Sequence, residues 1–268
     1  MAMLVGLQTM VDNFANFIED KSDPRTRHWF MVENPLMLVM LLVLYLYFCT
    51  TAGPKFMKDR KPFELKNVLL AYNVFQVVFS CYLVWEGLHG GWMHYYNFRC
   101  QSVDYSDNPI ALRMARAVWL YYMCKLIELL DTVFFVLRKK NNQVTGLHVW
   151  HHTLMPVTGW IAIRFLPGGQ GTLLGIINSF VHIIMYSYYL LAGLGPQYQK
   201  YLWWKKYLTM LQLVQFTIIF IHNIQPLIFG GCDYPRIISI LLCVNQLNFM
   251  YLFGMFYIRT YRKSKKLQ

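Results

Sequence analysis

The sequence predicts an all-α, multi-pass integral membrane protein with seven transmembrane helices. Of its 268 residues, 56% are hydrophobic and only 14% are charged, whereas soluble globular domains average about 25% charged residues. The charged residues bound seven runs with few or no charges, and each run has the roughly 20 residues that a membrane-spanning helix needs. The connecting segments are too short for another domain. We therefore expect one membrane domain over 1–268, and we exclude a disordered chain and an ordinary soluble enzyme.

The predicted elements follow the charges in chain order. A non-spanning N-terminal segment covers 1–30. The seven predicted spans are 34–54, 67–86, 115–137, 147–166, 171–194, 207–230 and 237–258, followed by a basic tail at 259–268. The turn-forming sequence Pro167-Gly168-Gly169-Gln170-Gly171 separates the fourth and fifth spans. The third and fourth spans carry polar groups, which makes their ends the least defined.

The basic residues indicate the orientation in the membrane. The chain has 25 Lys and Arg against 13 Asp and Glu, a net charge of +12. The excess lies in the loops at 53–66, 138–147 and 195–206 and in the tail. Because cytosolic loops of membrane proteins are enriched in Lys and Arg, these segments are predicted to be cytosolic. The N-terminus is then lumenal and the C-terminus cytosolic, and no nucleic-acid partner is expected.

The six cysteines divide along the same topology. Four lie within predicted spans and are expected to be packing residues. These are Cys49, Cys81, Cys124 and Cys243. The other two, Cys100 and Cys232, fall in two different lumenal loops, and that compartment is oxidising. We therefore predict a Cys100–Cys232 disulfide.

Three charged residues on the third span stand out, since ionisable groups at membrane depth are costly and usually functional. Lys125, Glu128 and Asp131 recur at intervals of three residues, which places them on one helical face. One interpretation is a mutually neutralising ion cluster that fixes helix packing. The other is that the two carboxylates orient a catalytic histidine.

A histidine cluster opens the fourth span. His148, His151 and His152 occupy positions i, i+3 and i+4 of a predicted helix, so the three imidazoles lie on one side of it. Packing alone seldom requires three such side chains beside lipid. The cluster has two chemical uses, as metal ligands or as a nucleophile with acid and base groups.

Two further polar faces lie on the fifth and sixth spans. Asn178 and His182, together with Tyr186 and Tyr189, share one face of the fifth span, a grouping that favours function over a buried structural histidine. On the sixth span Gln212 shares a face with Gln215, and interhelical hydrogen bonding is the default interpretation. The remaining histidines near the lumenal edge are treated as incidental. These are His28, His89, His94 and His222.

Four motifs resemble those of the very-long-chain fatty acid elongases, the condensing enzymes (3-oxoacyl-CoA synthases) of the endoplasmic reticulum. In chain order they are KLIELLDT, HVWHH, NSFVHIIMYSYY and TMLQLVQ. The similarity covers nearly the whole chain, including loop sequences such as GPKFMKDRKPFELK. The sequence NNQVTGLHVWHH, with Gln143 five residues before His148, is more similar to the branch acting on longer saturated or polyunsaturated chains than to the branch extending palmitoyl-length chains. The tail residues Lys265 and Lys266 resemble a dilysine retrieval signal.

The resemblance implies a decarboxylative Claisen condensation. A long-chain acyl-CoA and malonyl-CoA give 3-oxoacyl-CoA, CO2 and CoA through an acyl-histidine, with His151 as nucleophile and His182 as its nearest partner. The family also implies that the second to seventh spans enclose an acyl-chain tunnel and that no metal or other cofactor is required. Expected partners are the two CoA substrates, the lipid bilayer, the reductases and dehydratase of the elongation cycle, and a second copy of the chain in a homodimer.

The site residues are predicted from the motifs and the resemblance together. The predicted catalytic residues are His148, His151, His152, His182, Asn178, Asp131, Glu128 and Gln212. The predicted residues for CoA and the thioester region are Lys125, Arg138, Lys139, Tyr186, Tyr189, Lys205 and Lys206.

Two other classes of protein compete with this interpretation. A diiron desaturase or hydroxylase also has an HxxHH box, but such sites need about eight ligands, and only four of the eight histidines lie where a site could form. A heptahelical receptor shares the topology and the loop disulfide. A receptor gives no reason for three histidines beside a face that carries lysine, glutamate and aspartate.

Overall fold

The computed structural model describes residues 2–262, and within them the chain is helical, with no strand. The helices are α1 (Ala2–Lys21), α2 (Pro35–Met57), α3 (Lys66–Trp92), α4 (Pro109–Ile127), α5 (Leu129–Leu137), α6 (Gly146–Phe165), α7 (Thr172–Leu194), α8 (Lys205–Phe229) and α9 (Arg236–Tyr261). Short π-helical turns continue α2, α3 and α9. The all-α class is confirmed. The predicted dilysine signal lies outside the described residues.

Five helices in the described part of the chain are long and apolar enough to cross a membrane, namely α2, α3, α7, α8 and α9. The predicted fourth span corresponds to α6, which carries the histidine cluster. The predicted third span, 115–137, corresponds to α4 and α5, which meet at Glu128. The polar side chains of α4 and α6 reduce their apolar content, and a membrane crossing by these two segments stays a prediction.

Local sequence explains the bounds of the divided third span. Asn108 caps α4 by accepting hydrogen bonds from the backbone N of Ile110 and of Ala111, both at 2.9 Å. Pro109 occupies the first helical position, where a missing N–H costs nothing. At the junction the backbone tightens, and Asp131 N donates to Glu128 O across three residues at 3.1 Å.

Hydrogen bonds and an ion pair join the N-terminal segment to the C-terminal end of α6, which lies away from the histidines. Arg164 is buried and donates to Ser22 Oγ, to the carbonyl of Arg27 at 2.8 Å and to Glu19 Oε2 at 2.7 Å. Thr26 Oγ1 donates to the carbonyl of Ile163 at 2.7 Å. A guanidinium has five N–H donors and must satisfy them when buried. This cluster therefore fixes the axial position of α6.

Helix packing leaves α4 and α6 in the interior. Helix α3 packs along α7, α8 packs along α9, and α4 packs along α6 and also contacts α3 and α7. One apolar cluster joins α2, α4 and α6 through Leu42, Tyr122 and Ile163. By contrast, α2 and α9 leave large apolar side chains exposed, Leu44 and Leu241 among them. The polar side chains of α4 and α6, such as Lys125 and His152, therefore lie buried inside the bundle and away from this apolar surface.

The predicted disulfide is confirmed. Cys100 and Cys232 are bonded, with their Cα atoms 5.7 Å apart, and they join two loops separated by 132 residues. Beside it, Gln170 Nε2 donates to the carbonyl of His222 at 2.9 Å, and His222 Nε2 lies 3.2 Å from the carbonyl of Gln170. His222 is therefore part of a structural clamp and not incidental. Of the four cysteines expected to pack in the interior, three are buried, but Cys81 is exposed.

Candidate active site

The histidine box occupies the beginning of α6. Thr145 caps the helix, and its Oγ1 accepts a hydrogen bond from His148 N at 3.2 Å. The ring centroids of His148 and His152 are 4.2 Å apart, and those of His151 and His152 are 5.2 Å apart. The three imidazoles therefore form one group, as helical spacing predicts. Among residues 2–262, no set of three or more His, Cys, Asp or Glu side chains is placed to hold a metal ion.

One hydrogen-bond chain holds the outermost histidine. His148 Nε2 lies 2.9 Å from Thr132 Oγ1 on α5, and the same oxygen lies 2.7 Å from the hydroxyl of Tyr45 on α2. Thr132 is fully buried. Because the hydroxyl of Thr132 bonds both partners, it fixes the ring plane of His148 relative to α2 and α5.

A buried ion pair lies at the end of α4. Lys125 Nζ donates to Glu128 Oε1 at 2.8 Å, to Glu128 Oε2 at 3.0 Å and to Asn178 Oδ1 at 2.9 Å. The side chains of Lys125 and Glu128 are only 2% and 1% exposed. Tyr121 also donates to Asn178 Oδ1, at 3.0 Å. Both lone pairs of the Asn178 carbonyl are therefore occupied, and its amide NH2 is left to donate elsewhere.

The two carboxylates have different partners. Glu128 Oε1 lies 3.1 Å from His182 Nδ1, so Glu128 both neutralises Lys125 and orients a histidine. Its contacts fit both interpretations of the charged face, and a catalytic role for His182 stays a prediction. Asp131 instead accepts a hydrogen bond from the hydroxyl of Tyr186 at 2.7 Å. Both carboxylates therefore face α7, where the rings of His182 and Tyr186 lie one turn apart with centroids at 5.6 Å.

A small cavity of about 20 Å³, with both polar and apolar walls, lies beside His151. Asn178 lines it from α7, and three amide side chains line it from α8 and α9, namely Gln215, Asn245 and Gln246. The ring of His151 contacts Phe249, with centroids 5.3 Å apart, and Phe249 forms another wall. A histidine and four carboxamides thus surround one small space.

A second, apolar cavity of about 100 Å³ adjoins the first. The two share Met155 and Leu174 in their walls. From there the apolar cavity runs past Gly175 to Gly171 and Tyr234, near the end of the bundle that carries the disulfide. Its lining is almost entirely aliphatic and aromatic. The arrangement suits a polar reacting group beside His151 that is attached to an apolar chain.

Several predicted site residues lie outside this centre. Gln212 Nε2 contacts Met185 Sδ at 3.8 Å, and Tyr189 is 42% exposed. The described contacts of the four predicted CoA-binding cations do not include the histidines. Lys139 Nζ donates to the carbonyl of Lys58 at 3.0 Å, and Lys206 Nζ lies 4.8 Å from the ring centroid of Tyr207. The other two predicted CoA-binding cations are Arg138 and Lys205. His182 meets Glu128 and Tyr186, whereas His151 meets His152 and Phe249.

The structure adds residues that motif reasoning missed. Gln76 on α3 accepts from Cys124 Sγ at 3.4 Å and donates to the hydroxyl of Tyr72 at 2.9 Å. The ring of Tyr72 packs against that of Tyr186, with centroids 6.0 Å apart. The spacing of Tyr72 and Gln76, polar residues one helical turn apart in an apolar span, could have identified them from the sequence. The adjacent residues Asn245 and Gln246 in the last span could have been found as polar residues in an otherwise apolar segment.

Comparison with known proteins agrees with the motifs. Residues 30–268 match the family model described as "ELO: GNS1/SUR4 family". Very long chain fatty acid elongase 7 of Rattus norvegicus is 49% identical over 256 residues, covering 95% of this chain and 90% of that protein. Very long chain fatty acid elongase 1 of Homo sapiens is 43% identical over 259 residues, covering 96% and 92%. The chain is a multi-pass membrane protein and belongs to the ELO (GNS1/SUR4) family of fatty acid elongases.

Proposed function

We propose that this protein catalyses the condensing step of fatty acid elongation, as a 3-oxoacyl-CoA synthase. A long-chain acyl-CoA and malonyl-CoA are converted to 3-oxoacyl-CoA, CO2 and CoA. One observation carries the proposal. His151 and Asn178, the residue that Lys125 holds, line a small cavity that shares Met155 and Leu174 with an apolar cavity, so one site combines acyl-transfer chemistry with room for an alkyl chain.

In the first step His151 is the nucleophile. Its imidazole nitrogen attacks the thioester carbon, the C–S bond breaks, and CoA leaves after the thiolate takes the imidazole proton. The alkyl chain occupies the apolar cavity, which we propose to be the closed part of an acyl tunnel. His182, held by Glu128, assists the proton transfer.

In the second step malonyl-CoA loses CO2 and forms an enolate. The enolate carbon attacks the acyl-imidazole carbon, the C–N bond breaks, and His151 is released. The growing charge needs donors that are fixed beforehand. Asn178 fits this role, because Lys125 and Tyr121 occupy its carbonyl oxygen and leave its NH2 to donate at the cavity that His151 lines.

The proposal also covers the cofactor requirement, the binding of CoA, the cellular location and the partners of the protein. No metal or redox cofactor takes part, because condensation requires neither. The cations Arg138, Lys139, Lys205 and Lys206 hold the phosphates of CoA at the cytosolic face. The protein resides in the endoplasmic reticulum membrane, with its N-terminus in the lumen, and works with the reductases and dehydratase of the elongation cycle. A homodimer is a further proposal for its assembly.

The reaction itself is tested with the purified full chain. Malonyl-CoA and a panel of acyl-CoAs of different lengths are supplied, and mass spectrometry identifies the products. We expect 3-oxoacyl-CoA two carbons longer than each accepted substrate. His151→Ala abolishes it, whereas the matched control His94→Ala, at an exposed position, retains it. Turnover without a 3-oxo product refutes the assignment.

The acyl-histidine is tested with acyl-CoA alone. A covalent route releases free CoA up to one equivalent and adds an acyl mass to the peptide that contains His151. Direct transfer from one CoA thioester to the other gives neither result. If His151→Ala still shows both, the nucleophile lies elsewhere, and His182 and then His152 are tested in the same way.

A further inference from the structure

Tyr45 is the residue through which α2 reaches the histidine box. Its hydroxyl lies 2.7 Å from Thr132 Oγ1 on α5, and that oxygen lies 2.9 Å from His148 Nε2 on α6. Tyr45 and Thr132 are only 6% and 0% exposed, so bulk water does not reach the two hydroxyls. Within residues 2–262, neither these hydroxyls nor the imidazole of His148 has another hydrogen-bond partner.

The small number of partners fixes the direction of these hydrogen bonds. The hydroxyl of Tyr45 donates to Thr132 Oγ1, its single acceptor among the described residues, and the proton of Thr132 then goes to His148 Nε2. The opposite direction would leave the buried proton of Tyr45 without an acceptor, which is unfavourable. A neutral imidazole that accepts at one nitrogen carries its proton on the other. His148 is therefore protonated at Nδ1.

The hydroxyl of Thr132 also avoids the bond that threonine commonly makes inside a helix. Four other threonines each donate to the carbonyl four residues earlier. These are Thr50, Thr153, Thr158 and Thr217. Within the described part of the chain, Thr132 makes no such bond. The hydroxyl of Tyr45 accounts for the difference, because it bonds Thr132 Oγ1 from α2 and keeps the proton of Thr132 directed at His148.

We propose that Tyr45 and Thr132 are positioning residues that hold His148 as a neutral imidazole protonated at Nδ1, a role that rests on the condensing function proposed above. The ring of His148 lies beside that of His152, with centroids 4.2 Å apart. Its Nδ1 has no hydrogen-bond partner within residues 2–262. The Nδ1–H is thus left to donate to an oxygen of a CoA substrate, as a donor whose orientation is fixed before negative charge develops there.

The tautomer of His148 is measured directly, without a substrate. The full chain is purified in detergent with 15N-labelled histidine, and NMR spectra that correlate ring nitrogens with ring hydrogens distinguish protonated from unprotonated nitrogens. The His148 signals are those missing from the His148→Asn spectrum. We expect a protonated Nδ1 and an unprotonated Nε2 in wild type, and a mixture of tautomers in Thr132→Val. A protonated Nε2 in wild type overturns the proposal, whether or not the protein condenses CoA substrates.

Steady-state kinetics then tests the positioning role. Thr132→Val keeps the shape of the side chain and should lower kcat for condensation about a hundredfold, as a misplaced group at a reacting centre does. Tyr45→Phe removes one hydroxyl and should lower kcat about tenfold, roughly the effect of one hydrogen bond. Both variants should leave KM unchanged, because the CoA substrates still bind. Thr132→Ser keeps the hydroxyl and should retain most of the wild-type kcat.

The matched control is Tyr122→Phe. Tyr122 is fully buried in the same apolar cluster as Tyr45, and its hydroxyl donates to the carbonyl of Met31 at 3.1 Å. The control also loses one buried hydrogen bond and should keep the wild-type kcat. If wild type makes 3-oxoacyl-CoA but Tyr45→Phe matches Tyr122→Phe in kcat, or Thr132→Val matches Thr132→Ser, the positioning role is wrong and the condensing function stands. If wild type makes no 3-oxoacyl-CoA but shows the Nδ1 tautomer, the condensing function is wrong and the tautomer assignment stands.

Discussion

Replacing Glu128 by Gln removes the negative charge at the centre of the site and keeps the size of the side chain. Lys125 then stays buried, 2% exposed, with only neutral oxygens around its ammonium group. Breaking one partner of a buried ion pair costs about 3–5 kcal/mol, because the remaining charge has no compensation. We therefore expect Glu128→Gln to lower the free energy of unfolding by about that amount.

The assay is thermal unfolding of the full chain in detergent, followed by tryptophan fluorescence. At about 2–4 °C per kcal/mol for a chain of this size, the midpoint should fall by about 6–20 °C. The matched control is Glu86→Gln, whose partner Arg113 is 37% exposed. An exposed ion pair of this kind contributes about 0–1 kcal/mol to the free energy of unfolding. The unfolding midpoint of the control should therefore change little.

A double-mutant cycle isolates the pair itself. Lys125→Met alone costs less than Glu128→Gln, because Glu128 keeps its contact with His182. The double variant Lys125→Met/Glu128→Gln should regain much of the lost stability, with a coupling of about 1–3 kcal/mol. It should remain inactive, since Asn178 loses the lysine that orients its carbonyl. Additive losses in the double variant, or a Glu128→Gln midpoint equal to that of the control, would refute the reasoning.

Three further predictions concern the chain length, the CoA contacts and the response to pH. Gly175 lines the apolar cavity, and a Cβ there would lie 3.6 Å from the Tyr121 ring, an ordinary contact distance. Gly175→Leu should therefore fold and shift the products, measured by mass spectrometry, to shorter acyl chains. An unchanged product profile would mean that the acyl chain lies elsewhere. Lys205→Ala should raise KM for the CoA substrates more than it lowers kcat, and an unchanged KM would assign Lys205 to topology alone. Ser106 and Asn108 donate to Asp104 at 2.9 and 2.6 Å and hold the pKa of its carboxyl below its usual value. This stabilisation is present above about pH 4 and is lost as the pH falls through the pKa of Asp104 in the folded protein. Acid should therefore lower the unfolding midpoint of the wild type more than that of Asp104→Asn. Equal decreases in the two midpoints would contradict this prediction.

The sequence alone determined the class of fold and the disulfide. Long apolar runs could be counted in the sequence, because a helix must cross a layer of fixed thickness, and five of the seven predicted spans correspond to described helices that are long and apolar enough to cross a membrane. The basic loops placed Cys100 and Cys232 on one side of the membrane, and the structure joins them. Helical spacing likewise grouped His148, His151 and His152, since residues three and four apart meet on one helix face whatever surrounds it.

Only the tertiary structure decided which side chains meet across neighbouring helices. Glu128 and Asp131 share a face, as their spacing predicts, but only the structure shows that Glu128 meets Lys125 and His182 while Asp131 meets Tyr186 one turn along α7. Rotation of α8 places Gln215 at the cavity and leaves Gln212 against Met185. Within a membrane the lipid is as apolar as the helix surfaces, so the hydrophobic pattern does not select which face turns inward. Packing and hydrogen bonds between helices make that choice, and they exist only once the bundle has assembled.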